Sequence, residues 1–168
     1  MRAVTSEDAE GIARVQIDGW RATYVGIMPD EVLAKLNLES SAERWKGNIE
    51  GARSTTFVAV WDGEIVGFCS VGAARDDDVT EDTGELWAIY VHPNHWRRGV
   101  GRQLFDKAVA YAVDSGFSRL TLWMAAGNSV GEGFYRSVGF VPDGLEKSVP
   151  FAGKPIRELR FVLDNIPS

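Results

Sequence analysis

The spacing of apolar residues in this chain changes near Thr55. Before that position, apolar side chains recur every three to four residues, as on one face of a helix; the set is Ala13, Ile17, Trp20 and Tyr24. Thr5, followed three residues later by Asp8, is typical of a capping box at a helix start. The segment GIMPD at 26–30 interrupts this pattern, and a second helix is predicted from Pro29 to about Glu50.

After Thr55 the pattern becomes that of strands. TFVAVW and IVGFCSV flank Asp62-Gly63, a strong hairpin signal. Two nearly all-apolar runs, 85–91 and 119–124, predict strands buried on both faces. A helix from about Gly99 lies between them. The remaining predicted elements are a short helix at 128–138 and two strands, one beginning in 139–142 and one around 159–163.

This order predicts one α/β domain over residues 1–168. The expected architecture is a mixed, mostly antiparallel sheet flanked by helices, in the order β-α-α-β-β-β-α-β-α-β-β. The segment 85–124 is predicted to form a right-handed crossover between two parallel strands. A length of 168 residues is typical of a single domain that buries an adequate core.

Composition excludes several classes of protein. With 45% apolar and 25% charged residues the chain is not expected to be disordered. No apolar run approaches the ~18 residues of a membrane span, and the acidic start carries no export signal, so we expect a cytoplasmic protein without a membrane partner. The single cysteine, Cys69, excludes an internal disulfide and is expected to be a core residue. A net charge of −6 argues against a nucleic-acid partner.

The segment HPNHWRRGVGRQLF at 92–105 is the strongest candidate for a binding site. A buried strand leads into a turn with Gly99 and Gly101, and a helix begins there. Such a turn directs free backbone amides and a helix dipole at one point, an arrangement that binds pyrophosphate. A dinucleotide fingerprint is excluded because position 104 is leucine, and the chain contains no GK[ST] triplet of a P-loop.

Together with its flanks, GELWAIYVHP…WRRGVGRQLF and AAGNSVGEGFYRSVGFVPDG, this segment resembles the GNAT superfamily of acetyl-CoA-dependent N-acetyltransferases. The resemblance covers nearly the whole chain and is most specific over 85–141. Two departures are Trp96 in the first slot of the family's [QR]-x-x-G-x-[GA] motif and Gly131 where alanine is usual. The first strand also has only Met1 to Val4 available. Two glycines, 131 and 133, predict a weakly formed or closely packed helix.

The resemblance implies sites for acetyl-CoA. The residues that would contact this co-substrate are Ile89, Tyr90, Val91, Trp96, Arg97, Arg98, Gly99, Val100, Gly101, Arg102, Asn128 and Tyr135. Within this set, the amides around 98–102 would hold the pyrophosphate, and an amide in 89–91 would polarise the thioester carbonyl. Asn128 would contact the pantetheine arm, and Tyr135 would return a proton to the leaving thiolate.

The resemblance also implies an acceptor site. Glu85 lies 14 residues before the first loop glycine, where several family members carry a glutamate base. An alkylamine is almost fully protonated at pH 7 and attacks only when neutral, so the reaction needs a base or an ordered water. Trp20 and Tyr24, together with the 144–155 loop, are expected to help form the acceptor site. The acceptor is a small-molecule or peptide amine, and its identity stays open.

The expected activity is transfer of an acetyl group from acetyl-CoA to a primary amine by direct attack in a ternary complex. Two alternatives remain: a non-catalytic acyl-CoA-binding module on the same fold, and a plain α/β interaction domain. No metal site is predicted, because His92 and His95 lie in a loop without further ligands. The protein is expected to be a monomer or a homodimer.

Overall fold

The computed structural model describes residues 1–151 and 153–166. Its strands are β1 (Arg2–Ala3), β2 (Thr55–Trp61), β3 (Glu64–Ala73), β4 (Thr83–Val91), β5 (Arg119–Ala125), β6 (Val141–Phe151) and β7 (Lys154–Asp164). Its α-helices are α1 (Ala9–Thr23), α2 (Asp30–Ala34), α3 (Leu38–Glu50), α4 (Val100–Asp114) and α5 (Ser129–Ser137). Two single-turn 3-10 helices cover Ser6–Asp8 and Pro93–His95.

The strands form one seven-stranded sheet in the order β1-β2-β3-β4-β5-β7-β6. Neighbouring strands are antiparallel except for β4 and β5, which are parallel and are connected through α4. The predicted mixed, mostly antiparallel sheet and the parallel crossover between 85 and 124 are therefore confirmed.

Helices cover both faces of the sheet. On one face, α1 and α3 pack on β3 through Ile12, Val15 and Trp45. On the other face, α4 packs through Val100, Leu104 and Ala108. The helix α5 adds Phe134, Tyr135 and Val138. Cys69 is buried in this second layer, and its thiol donates to the Leu104 carbonyl at 3.3 Å. The expectation that Cys69 is a core residue is thus confirmed.

The first helix starts as the capping signal predicts. The Asp8 carboxylate accepts a hydrogen bond from the Thr5 backbone N–H at 2.8 Å and forms an ion pair with Arg2 at 2.6 Å. The first strand is short, as expected from the few residues available to it, and pairs with β2 from Arg2 to Ala3.

Two expectations need correction. The helix predicted from Pro29 to Glu50 is divided into α2 and α3, because Asn37 leaves the helical conformation and caps α3 by accepting from Ser40 N–H at 3.0 Å. The segment 144–155, predicted as a loop, belongs mostly to the β6–β7 hairpin, since both tail strands are 11 residues long. Among the described residues, no helix has the length and apolar character needed to cross a lipid bilayer.

Candidate active site

The two central strands separate in the middle of the sheet. Pairing of β4 with β5 runs from Thr83 to Glu85, where Glu85 lies opposite Thr121. Both strands continue past this point, β4 to Val91 and β5 to Ala125, without further pairing to each other. The result is a wedge between two parallel strands, open at their carboxyl ends, where ligands bind in open α/β sheets.

Two backbone amides of β4 face this wedge. In an antiparallel ladder every second residue turns its N–H and C=O away from the neighbouring strand. The His92 N–H donates to the Val66 carbonyl at 2.8 Å, which fixes this alternation along β4. Ile89 and Val91 therefore turn their N–H groups away from β3, and the Val91 carbonyl on that side accepts from the Trp96 indole at 2.7 Å.

The turn from β4 to α4 presents a further group of free amides. Arg97 and Gly99 both have positive φ values, 62° and 80°, whereas Arg98 between them does not. Alternation of positive and negative φ directs successive N–H groups towards one point. The first α4 hydrogen bond runs from Gln103 N–H to the Gly99 carbonyl. From Arg97 to Arg102, no backbone N–H donates to another backbone group of the described chain. This concave group of donors fits a pyrophosphate.

Two residues of the motif have structural tasks that the sequence did not show. A Cβ on Gly101 would lie 3.3 Å from the Phe134 ring, so this glycine allows α5 to pack against the start of α4. Trp96, in the motif's first slot, is tied to Val91 by its indole and braces the turn against β4. Of the three arginines, Arg97 and Arg98 are exposed without a carboxylate partner among the described residues, whereas Arg102 pairs with Asp106 at 2.9 Å.

Three phenols belong to the elements around the wedge, two of them on the face of the sheet that carries α1 and one on the opposite face. Tyr24 follows α1, and its hydroxyl lies 3.2 Å from that of Tyr90 on β4. Tyr135 comes from α5 on the opposite face, where its ring packs against Phe140 at a centroid distance of 6.0 Å. Burial raises the pKa of Tyr135, and the nearby Tyr24 raises it further.

All three phenols are protonated at neutral pH. Burial is the main cause that raises the pKa of Tyr24 and of Tyr90 as well. For Tyr24, the adjacent Tyr90 hydroxyl and Asn128 amide offset part of the rise, and the negative charge of Glu158 adds to it. A phenol that keeps its proton can act as a hydrogen-bond donor or as an acid in this site.

Asn128 lies where β5 leads into α5. Its side-chain oxygen accepts from the Gly131 N–H at 2.8 Å and so caps the helix. A Cβ on Gly131 would approach the Asn128 amide nitrogen to 2.6 Å. The glycine found in place of the family's alanine is therefore explained by its close contact with the capping side chain.

Glu85 is buried and already engaged. Its residue exposure is 1%, and both its oxygens accept from the Arg75 guanidinium, one of them at 3.0 Å. The Arg75 backbone N–H donates to the same carboxylate at 3.1 Å, and the guanidinium stacks on Trp87 at 4.2 Å. An acceptor amine at Glu85 would have to compete with this clamp for the carboxylate.

The remaining predicted residues lie as follows. Trp20 contacts Tyr24 edge to face at 5.6 Å and Phe151 at 5.4 Å. Beside Trp20, a cavity of about 130 Å³ lies between α1, α3 and the β6–β7 hairpin. His92 bonds Asp18 at 3.2 Å through Nε2. Its Nδ1 accepts from the Asn94 N–H, so both ring nitrogens have protein partners.

Sequence reasoning missed two charged residues of the site, Arg75, which binds Glu85, and Glu158, which lies beside the end of β5. Arg75 lies in a polar loop with no pattern to mark it. Glu158 did have a signal, because it alternates with the apolar set Leu159, Phe161 and Leu163 and so points to the opposite face of β7. A half-buried carboxylate on the face that carries α1 could have been expected from that alternation.

Comparison with known proteins gives the family. The family model described as "Acetyltransferase (GNAT) family" matches residues 20–140. The chain belongs to the GNAT family. It is 35% identical, over 76% of its length and 72% of the relative's, to the "Uncharacterized N-acetyltransferase YuaI" of Bacillus subtilis (strain 168). The predicted family and the assignment as an acyltransferase are thereby confirmed.

Solved structures agree on the GNAT fold. The "Ribosomal-protein-alanine N-acetyltransferase from Brucella melitensis" superposes with a TM-score of 0.74 at 25% identity, covering 97% of this chain and 98% of that one. The yncA acetyltransferase from Salmonella typhimurium, solved with acetyl-CoA, gives a TM-score of 0.71 at 18% identity, covering 99% and 94%. The predicted GNAT architecture is therefore confirmed.

Proposed function

We propose that this enzyme transfers an acetyl group from acetyl-CoA to a primary amine while both substrates are bound. The observation that carries the proposal is the wedge between β4 and β5, with free amides along one side and, following the end of β5, the helix α5 that carries the protonated phenol of Tyr135. The thioester would lie in the wedge, and the amine would arrive from the face that carries α1.

The turn at 96–102 is proposed to hold the pyrophosphate of the donor. Its backbone amides are unpaired within the described chain, and Arg97 and Arg98 add positive charge to a protein whose net charge is −6. The Ile89 and Val91 amides face the wedge and would polarise the thioester carbonyl as an oxyanion hole does. Asn128, buried at the start of α5, would contact the pantetheine arm.

Direct attack by the amine is favoured over a covalent acetyl-enzyme. The only cysteine, Cys69, is buried in the α4 layer, and burial raises the pKa of its thiol to about 12. A thiol in that state does not accept an acetyl group. In the proposed reaction the new C–N bond forms, the C–S bond breaks, and Tyr135 protonates the leaving sulfur. The protons that the nitrogen loses pass to a general base or an ordered water and to the Tyr135 phenolate.

The acceptor is proposed to be a small-molecule or peptide amine that enters past Trp20 and Tyr24. These residues form an aromatic surface beside the wedge, and the cavity near Trp20 gives room for part of the acceptor. An aromatic surface of this kind favours a cationic group.

Release of free thiol from acetyl-CoA tests the proposal. The purified protein is incubated with acetyl-CoA and, in separate reactions, with free L-amino acids, spermidine and a peptide with an N-terminal alanine. Thiol release that depends on one of these amines, together with the acetylated amine found by mass spectrometry, is the expected result. Binding of acetyl-CoA without release for any amine would favour the non-catalytic acyl-CoA-binding module instead.

A further inference from the structure

A second carboxylate, that of Glu158, lies on β7 beside the end of β5. Glu158 on β7 is opposite Ala125, the last residue of β5, and opposite Lys147 on β6. Ala125 and Tyr24 belong to one apolar cluster, so Glu158 is next to the residues that surround the Tyr24 ring. The Glu158 charge raises the pKa of Tyr24, as expected for neighbouring groups.

Glu158 and Glu85 differ in how freely each can take a proton. The guanidinium and backbone amide of Arg75 both bind Glu85. Glu158 has one ion pair in the described structure, a loose one with Lys147 at 3.8 Å, and its side chain is 24% exposed. It is therefore half-buried yet open to an incoming group.

The surroundings of Glu158 also increase its basicity. Burial raises its pKa, the Lys147 and Arg75 charges offset part of the rise, and the nearby Glu85 charge adds to it. A carboxylate whose pKa is closer to neutrality is a better general base, because it gains more when it takes the proton.

We propose that Glu158 is the general base of acetyl transfer. Glu85 is then a positioning residue, which holds Arg75 in place through their ion pair. The Glu158 carboxylate takes one proton from the acceptor ammonium, and the neutral nitrogen attacks the thioester carbon. The C–S bond then breaks as Tyr135 gives its proton to the sulfur, and the second proton that the nitrogen loses returns the Tyr135 phenolate to the phenol. This assignment rests on the proposed acetyl transfer to an amine, and it adds which carboxylate receives the proton.

Three matched variants test the assignment: Glu158→Gln, Glu85→Gln and, as a control, Glu146→Gln on the neighbouring strand, where an exposed Glu146 pairs with Arg157 at 3.6 Å. The pH dependence of kcat/KM is measured with the amine that reacts best in the thiol-release assay. We expect Glu158→Gln to lower kcat/KM at least ~100-fold and to abolish the acidic limb of the profile. Glu85→Gln and Glu146→Gln should keep that limb.

The thermal shift given by acetyl-CoA should be the same in the wild type and in Glu158→Gln, since Glu158 acts on the acceptor. The proposal is overturned if Glu158→Gln stays within about threefold of the wild type, or if the acidic limb disappears in Glu85→Gln instead. In both of these results the wild-type protein still turns over the amine, so the proposed acetyltransferase activity stands. Failure of the Glu158 assignment is thereby distinguished from failure of the proposed function.

A second measurement needs no acceptor. Protein labelled with ¹³C at glutamate carboxyls is titrated by NMR, and the Glu158 resonance is identified by its absence from Glu158→Gln. We expect its midpoint above the ordinary glutamate value of about 4.3. A midpoint at or below that value would remove the basis for Glu158 as the base, whichever amines react.

Discussion

Arg75 binds the carboxylate of Glu85 with both its guanidinium group and its backbone N–H. Arg75 follows β3 in the loop that leads to β4, and Glu85 is the last residue of β4 paired with β5. The ion pair therefore attaches this loop to the point where the wedge opens. It also neutralises a carboxylate that is almost fully buried.

Replacing Arg75 by alanine should destabilise the fold. Glu85 would stay buried without its cation, and we expect a loss of about 1–3 kcal/mol in the free energy of unfolding at pH 7, measured with urea. Adding Glu85→Gln should recover part of the loss, because a neutral amide costs less to bury than a charge. Arg14→Ala, at an exposed pair with Glu10, is the control and should change stability by under ~0.5 kcal/mol. A double variant less stable than Arg75→Ala would contradict this account.

Tyr135→Phe should separate binding from turnover. The ring packs among aromatic side chains and phenylalanine fills the same space, so acetyl-CoA should raise the melting temperature as in the wild type. Loss of the acid should lower kcat by roughly 10²–10⁴-fold. Equal turnover by the two proteins would show that another group protonates the sulfur.

Alanine at two glycines of α5 should have opposite consequences. A Cβ on Gly133 meets no atom within 4 Å, so Gly133→Ala should stabilise the protein by about 0.5–1 kcal/mol through helix propensity. At Gly131 the new Cβ would displace Asn128 from its capping position. Loss of a cap costs about 1 kcal/mol and cancels the propensity gain.

Thermal unfolding and acetyl-CoA titrations of both variants measure this difference. We expect Gly131→Ala to be less stable than Gly133→Ala by about 1 kcal/mol and to bind acetyl-CoA more weakly, since Asn128 lies at the wedge. Equal stability and equal binding would show that Asn128 does not depend on the glycine.

The free energy of unfolding should decrease in acid because Asp8 becomes protonated. The hydrogen bond from Arg2 is the main cause that lowers the pKa of Asp8 from 3.8 to about 2. Because the folded pKa lies below the unfolded one, the stabilisation is present above about pH 4 and is lost as the pH falls towards 2. Asp8→Ala should lose about 1–2 kcal/mol at pH 7, allowing for the half-exposed Arg2, and little at pH 2. Urea unfolding at both pH values measures the difference, and an equal loss at both would contradict it.

Local patterns determined much of this fold. Asp62-Gly63 gave the hairpin, the apolar runs at 85–91 and 119–124 gave the central strands, and Thr5 with Asp8 gave the start of the first helix. The family motifs located the 96–102 turn, and its free backbone amides agree with the prediction that it binds pyrophosphate. These features depend on neighbours in the chain, so the sequence alone is enough to predict them.

The tertiary structure decided which distant groups meet. The contact of Tyr24 with Tyr90 depends on how α1 lies on the sheet, and the position of Glu158 depends on the register of β7 against β5. The pairing of Glu85 with Arg75 depends on the path of an irregular loop. Local sequence patterns do not predict such long-range contacts, because helix packing and strand register determine them. The family was therefore readable from the sequence, whereas the proposed base became visible only in the folded protein.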